Sequence, residues 1–160
     1  MGAGKSTQGK ALSASLGFNF IDLDELIEKG EVKKIPMIFS EEGEMAFRKL
    51  ESDYLRRLDP GMDMVVSVGG GTPCFHENMD WMNNHGLTVY LKLSAEALFT
   101  RLKRSSTVRP LLKDKTDGEK WDYILQTLTQ REKYYSKARL IVDGLSLKSS
   151  ELEAMIREIL

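Results

Sequence analysis

At 160 residues, 41% of them hydrophobic and 29% charged, the chain is long enough for one domain with a sizeable core. Its 23 basic and 24 acidic side chains give a formal net charge of -1, which excludes the broad basic field that draws proteins onto nucleic acid. Cys74 is the only cysteine, so no intramolecular disulfide can form; no apolar run approaches the ~20 residues of a membrane helix; and the opening Met-Gly-Ala-Gly-Lys lacks the apolar stretch of a signal peptide, which makes a reducing cytoplasm the expected compartment.

Taken in chain order, short strand-like runs alternate with segments of helical period. Leu12 and Leu16 lie one turn apart, and Gly17 follows as a C-cap. Strand-like runs occur at 18–21, 64–68, 87–93 and 140–142. Helical stripes are Phe47, Leu50, Tyr54 and Leu58; then Ala95, Leu98, Phe99 and Leu102 after Ser94 as N-cap. Ile124, Leu128 and Tyr135 form another, and Leu152, Met155, Ile156 and Ile159 the last. Such alternation predicts an α/β fold with a parallel sheet covered by helices on both faces. Residues 105–120 are rich in Ser, Thr, Lys and Asp and are expected to form an exposed, mobile insertion. The eight methionines are expected as core filling, and His76, His85 and Cys74, which show no metal spacing, as structural or surface residues.

The first chemical signal is Gly2-Ala3-Gly4-Lys5-Ser6-Thr7, the second half of a Walker A phosphate loop. Its glycines let backbone N–H groups approach phosphate oxygens, and the following helix turns its positive end to the same anion. Lys5 reaches the β- and γ-phosphates, and Ser6 can ligate Mg²⁺. The plainer reading is a glycine-rich start that carries the pattern by chance. The loop's first glycine and its preceding strand do not occur in the sequence. A strand upstream of Met1, ending in glycine, is therefore expected, with the chain from Met1 alone expected to fold poorly or be inactive.

Asp22 and Asp24 follow the first strand-like run, where ligands bind in open α/β sheets. One could hold Mg²⁺ through water and the other orient or deprotonate an acceptor hydroxyl. Asp22 could equally cap the helix that begins at Leu23. Gly69, Gly70 and Gly71 end the run that would serve as the Walker B strand, which contains Ser67. They suit a backbone that approaches a ligand closely, or simply a permissive turn. Arg131 falls on an apolar stripe, where its planar fork needs a carboxylate or phosphate partner, from a ligand or from a structural ion pair. Arg48 borders the Phe47–Tyr54 stripe and could be solvated. Arg109, followed by Pro110-Leu111-Leu112, lies in the insertion, where it is either bland or closes over transferring phosphate.

With Phe20-Ile21-Asp22-Leu23-Asp24, Gly43-Glu44-Met45-Ala46-Phe47-Arg48, Ser67-Val68-Gly69-Gly70-Gly71, Arg109-Pro110-Leu111-Leu112 and Arg131-Glu132-Lys133-Tyr134-Tyr135 added to the phosphate loop, the chain resembles the shikimate kinase family along nearly its whole length. The resemblance implies a three-layer α/β/α P-loop kinase fold, with a five-stranded parallel sheet of order 2-3-1-4-5 whose first strand is missing here. It implies one domain over 1–160, an acceptor-binding region at about 24–60 and a lid at about 105–120. The implied reaction moves the γ-phosphoryl group of Mg·ATP to the 3-hydroxyl of shikimate, in the pathway to chorismate and the aromatic amino acids. Gly2, Ala3, Gly4, Lys5, Ser6, Thr7, Arg101 and Arg109 would then serve ATP, and Ser6 and Asp22 the magnesium ion. Asp24, Arg48, Gly70, Gly71 and Arg131 would hold shikimate, and Lys5, Asp24 and Arg109 would be catalytic. A cytoplasmic monomer without nucleic-acid or membrane partners is expected. Asp143-Gly144-Leu145-Ser146, where adenine contacts would lie, is the weakest match. Two rival readings are a gluconate- or nucleotide-type kinase of the same fold and an inactive, truncated fragment.

Overall fold

A computed structural model of the chain describes residues 2–104 and 115–160. Helix α1 (Lys5–Leu16) starts after Gly4, whose φ of 82° lies in the left-handed region, and ends at Gly17 as the sequence predicts. Strand β1 (Asn19–Asp22) leads into α2 (Leu23–Glu31), capped by the Asp22 carboxylate, which accepts from the Asp24 N–H at 3.1 Å. Helix α3 (Ile35–Arg56) is kinked at Gly43, where φ is 85°. There follow β2 (Met64–Ser67), a 3-10 turn (Thr72–Cys74), α4 (Asn78–His85), β3 (Val89–Lys92) and α5 (Ala95–Arg104), which is capped by Ser94 Oγ. Helix α6 (Asp117–Tyr135), β4 (Leu140–Asp143) and α7 (Ser149–Arg157) complete the chain.

Each strand pairs with one parallel neighbour. β1 lies beside β2 with Asn19 opposite Met64, and β3 beside β4 with Val89 opposite Leu140. The order β1-β2 and β3-β4 reproduces places 2-3 and 4-5 of the implied sheet, so the fold is the α/β P-loop kinase type. The described strands form two pairs, and no described strand pairs with both β2 and β3. A cleft of about 450 Å³ opens there, lined by Leu12, Val65, Val66, Leu87, Val89 and Leu152 among others. That is why the valines of β2 are only half-buried.

Three apolar clusters hold the helices. Leu23, Ile27, Ile38, Phe47 and Leu55 join α2 to α3. Leu12, Val142, Leu152 and Ile156 join α1, β4 and α7, and Leu93, Leu98 and Ile124 join β3, α5 and α6. Burial of each such side chain stabilises by ~1.5–3 kcal/mol. Two expectations need correction. Of the described methionines only Met79 is in the core, while Met37, Met45, Met62 and Met155 are exposed, on helices and loops whose inner faces are already filled by Leu, Ile and Phe. The insertion expected over 105–120 is shorter at its end, since a capping box of Thr116 and Glu119 starts α6 at Asp117. Residues 105–114, with Arg109 and most of the expected lid, lie outside the described residues. Among the described residues no helix is long and apolar enough to cross a membrane.

Candidate active site

The carboxyl ends of the strands gather the predicted residues. Asp22 ends β1, Ser67 ends β2, and the three glycines follow Ser67. Across from them α1 presents its first turn. Ser6 Oγ donates to Asp22 Oδ2 at 2.9 Å and lies 3.4 Å from Ser67 Oγ. Two hydroxyls and a carboxylate at the positive end of a helix form a hard, oxygen-only donor set of the kind Mg²⁺ takes beside phosphate oxygens. Among the described residues no group of three or more His, Cys, Asp or Glu is arranged to hold a metal ion by itself. Asp22 thus serves as the cap of α2 with Oδ1 and faces Ser6 with Oδ2, so the two readings of this residue are compatible.

Arg101, on α5, is tied to the phosphate loop. Its guanidinium donates to the Ala3 carbonyl at 3.4 Å and to the Gly144 carbonyl at 3.0 Å, which joins the loop to the turn after β4. Gln8 of α1 reinforces the same junction through Leu147 O and Ser149 Oγ.

A second polar cluster is built on α3. Arg48, which the sequence left open to solvent, is 8% exposed. Its guanidinium donates to Glu51 at 2.6 Å and to Glu44 at 2.9 Å, and lies 4.8 Å from the centre of the Phe75 ring. Glu51, itself 1% exposed, supplies the countercharge that makes this burial tolerable, and it also accepts from Thr72 Oγ1 at 2.5 Å. Gly71 sits against this cation so closely that a Cβ there would lie 2.5 Å from Arg48 Nη1. Gly69 approaches Asp24 and Glu51 in the same way, its added Cβ falling 3.3 Å from Asp24 Oδ1. The triple glycine is therefore a close-packed surface around two carboxylates and a guanidinium, not a slack turn.

Asp24 lies between the two halves. Burial, then the neighbouring charges of Asp22 and Glu51, push its carboxyl up from 3.8 to about 6, against the lowering pull of Lys5. A carboxyl so poised, within electrostatic reach of the phosphate-loop lysine and beside the glycine turn, can take a proton near neutral pH. Arg131, on α6, is half-buried, and its charge acts on the Tyr135 phenol one turn on. No described carboxylate forms an ion pair with it. Glu51, Thr72, Phe75 and Tyr135 are neighbours of the site that sequence reasoning did not assign to it. Only Glu51 left a signal, as an acid three residues after Arg48 on one helix.

The large apolar cleft between β2 and β3 touches this chemistry at its rim, through Ala3, Lys5, Ser67, Gly69, Gly70 and Tyr135. Its apolar walls offer nothing to phosphates, so the polar rim and not the cleft is the candidate site.

The sequence model of the family described as shikimate kinase matches residues 1–160. The chain belongs to the shikimate kinase family. A shikimate kinase of Phocaeicola vulgatus is 45% identical over 153 residues, covering 96% of this chain and 85% of that protein. The crystal structure of a shikimate kinase from Bacteroides thetaiotaomicron superimposes with a TM-score of 0.92 at 39% identity, covering 99% of this chain and 93% of that one. A second, the Acinetobacter baumannii enzyme in complex with shikimate, gives a TM-score of 0.81 at 31% identity over 99% of this chain and 87% of that one. As a member of this family the chain is an ATP-dependent kinase that phosphorylates shikimate, with ATP as co-substrate.

Proposed function

We propose that the residues gathered here divide the reaction between them, with the 3-hydroxyl of shikimate as acceptor and Mg·ATP as donor. Gly2, Ala3, Gly4, Lys5, Ser6 and Thr7 cradle the phosphates, with Arg101 on the nucleotide side and Arg109, from the segment outside the described residues, closing over the transferring group. Ser6 and Asp22 would hold the magnesium ion, which when bound neutralises charge on the β- and γ-phosphate oxygens. Arg48, Arg131, Gly70 and Gly71 hold the acceptor, the two guanidinium groups taking its carboxylate. Asp24 takes the hydroxyl proton as the acceptor oxygen bonds to the γ-phosphorus. The bond to the β–γ bridging oxygen breaks, and Lys5 stabilises the charge left on the β-phosphate. The position of Asp24, between the Lys5 side and the Arg48–Glu51–Gly69 cluster and with its carboxyl raised to about 6, is the observation that supports this assignment. The small net charge offers no broad field for nucleic acid, which suits an enzyme of small molecules; that it acts as a cytoplasmic monomer is carried over from the family resemblance.

A coupled assay with ATP, Mg²⁺ and shikimate tests the reading. Turnover is expected with shikimate and not with gluconate or nucleoside monophosphates, and Lys5→Ala should lose ~10²-fold or more in kcat, as for other preorganised charge-stabilising groups. Turnover with another acceptor, or a near-normal Lys5→Ala protein, refutes it.

A further inference from the structure

Within the glycine turn two of the three carbonyls are fixed by the backbone that follows. Gly69 O accepts from Thr72 N at 3.1 Å, and Gly71 O from Cys74 N at 2.9 Å. The Gly70 carbonyl has no such backbone partner among the described residues. It accepts from the hydroxyl of Tyr135, 65 residues away on α6, with only the Cys74 thiol at 4.0 Å besides. A peptide flanked by two glycines meets little steric resistance to turning over. Because the bond is trans, its C=O and N–H point in opposite directions. Whatever holds the Gly70 carbonyl therefore also aims the Gly71 N–H. That N–H is made by a buried residue packed on the Arg48 guanidinium, and it donates to no acceptor among the described residues.

Tyr135 is itself held. Its ring packs on Tyr90 with centroids 4.9 Å apart, and Tyr90 Oη donates to Glu132, which also pairs with Lys92 at 2.6 Å. Burial raises the phenol's pKa, so it remains a donor through the physiological range. The Arg131 charge one turn away acts on it in the opposite sense. One side chain thus links the two elements that converge on the acceptor, the helix carrying Arg131 and the turn carrying Gly71.

We infer that Tyr135 is a positioning residue for the acceptor: its hydroxyl locks the Gly70–Gly71 peptide so that the Gly71 N–H, beside Arg48 and Arg131, points to an anionic or hydroxyl oxygen of the bound acceptor. This rests on the acceptor site proposed above. Tyr135→Phe keeps the ring and removes the hydroxyl, and Tyr90→Phe removes a hydroxyl from the same packing without touching the glycine turn. The expected result is a KM for shikimate raised about three- to tenfold in Tyr135→Phe, the size of one lost hydrogen bond. The KM for ATP should be unchanged in the same protein, the melt cooperative, and Tyr90→Phe near wild type for both substrates. A Tyr135→Phe protein with an unaltered KM for shikimate overturns the inference. So does one in which both KM values rise together, or one that no longer melts cooperatively, since either assigns the hydroxyl to general stability. Arg131→Lys, measured alongside, separates the two levels. If it raises the KM for shikimate and Tyr135→Phe does not, the acceptor site stands and Tyr135 alone is misassigned; if the wild-type protein does not turn over shikimate, both fail.

Discussion

If Asp24 is the group that accepts the acceptor's proton, its raised pKa must show in both rate and stability. The carboxyl is displaced from 3.8 to about 6, mostly by burial and then by Asp22 and Glu51. With both Mg·ATP and shikimate well below saturation, the rate per enzyme should be flat above neutrality and fall about tenfold for each pH unit below the apparent pKa of the free enzyme. That apparent value should lie near 6 and not near 4. Asp22→Asn removes the second-largest cause and should move the limb to lower pH. The stability consequence has the opposite sign to that of a salt-bridged carboxylate. The folded state holds the Asp24 proton more tightly than the unfolded chain, so between about 6 and 3.8 the native protein binds the extra proton and is stabilised as pH falls. Conversely, ionisation at neutral pH costs on the order of 3 kcal/mol. Asp24→Asn should therefore melt above wild type at neutral pH by a margin that closes by about pH 4, while losing ~10²-fold or more in kcat. Denaturant melts of both proteins across this range, with the rate profile, give the test. An acid limb near 4, or an Asp24→Asn protein no more stable than wild type at neutral pH, refutes the argument.

Two further outcomes follow from the acceptor cluster. Gly71→Ala places a methyl group 2.5 Å from an Arg48 nitrogen that Glu51 and Glu44 hold in place, so the guanidinium must shift; the KM for shikimate should rise by about tenfold or more, with the KM for ATP little changed, as steady-state kinetics would show. Glu51→Ala leaves the Arg48 cation buried with only the exposed Glu44 as partner, and urea melts should show a loss of ~3–5 kcal/mol; a loss below ~1 kcal/mol would mean that Arg48 simply moves out to water.

Much of the fold was readable because local signals and tertiary structure agree. The four described strands fall within two residues of their apolar runs, Gly17 and Ser94 cap the helices they were expected to cap, and Asp22 caps α2, one of its two readings. The phosphate loop, the acidic pair and the glycines were legible as types of residue at strand ends. What sequence could not supply was the partner of each charge. Arg48 looked solvated because its stripe was judged by apolar residues alone; it is buried because Glu51, one turn along α3, neutralises it and Phe39, Phe47 and Phe75 surround it. Tyr135 counted as one more apolar position on α6, although its hydroxyl reaches a carbonyl that no local pattern marks as needing a donor. The start of α6 was missed for a simpler reason: Thr116 and Glu119 form a capping box inside a stretch whose polar composition reads as a loop.

The site also explains why α1 matters beyond its phosphate loop. The strand pair β1-β2 carries the acidic pair and the acceptor turn, and the pair β3-β4 leads to Arg101 and Gly144 on the nucleotide side. No backbone ladder joins the two pairs among the described residues. Helix α1 packs on β1, β2 and α7, and so bridges them. Its first turn points Ser6 at Asp22 and Ser67 of one pair, while Gln8 binds the segment after β4 of the other. Arg101 adds a second tie between the loop at Ala3 and the turn at Gly144. In-line phosphoryl transfer tolerates little error in the distance between donor and acceptor. Each hydrogen bond that α1 makes to the two pairs is worth only ~0.5–1.5 kcal/mol net. Helix α1, through the polar contacts at its first two turns, therefore brings Asp22 and Ser67 of one strand pair and the segment after β4 of the other to the same phosphate loop.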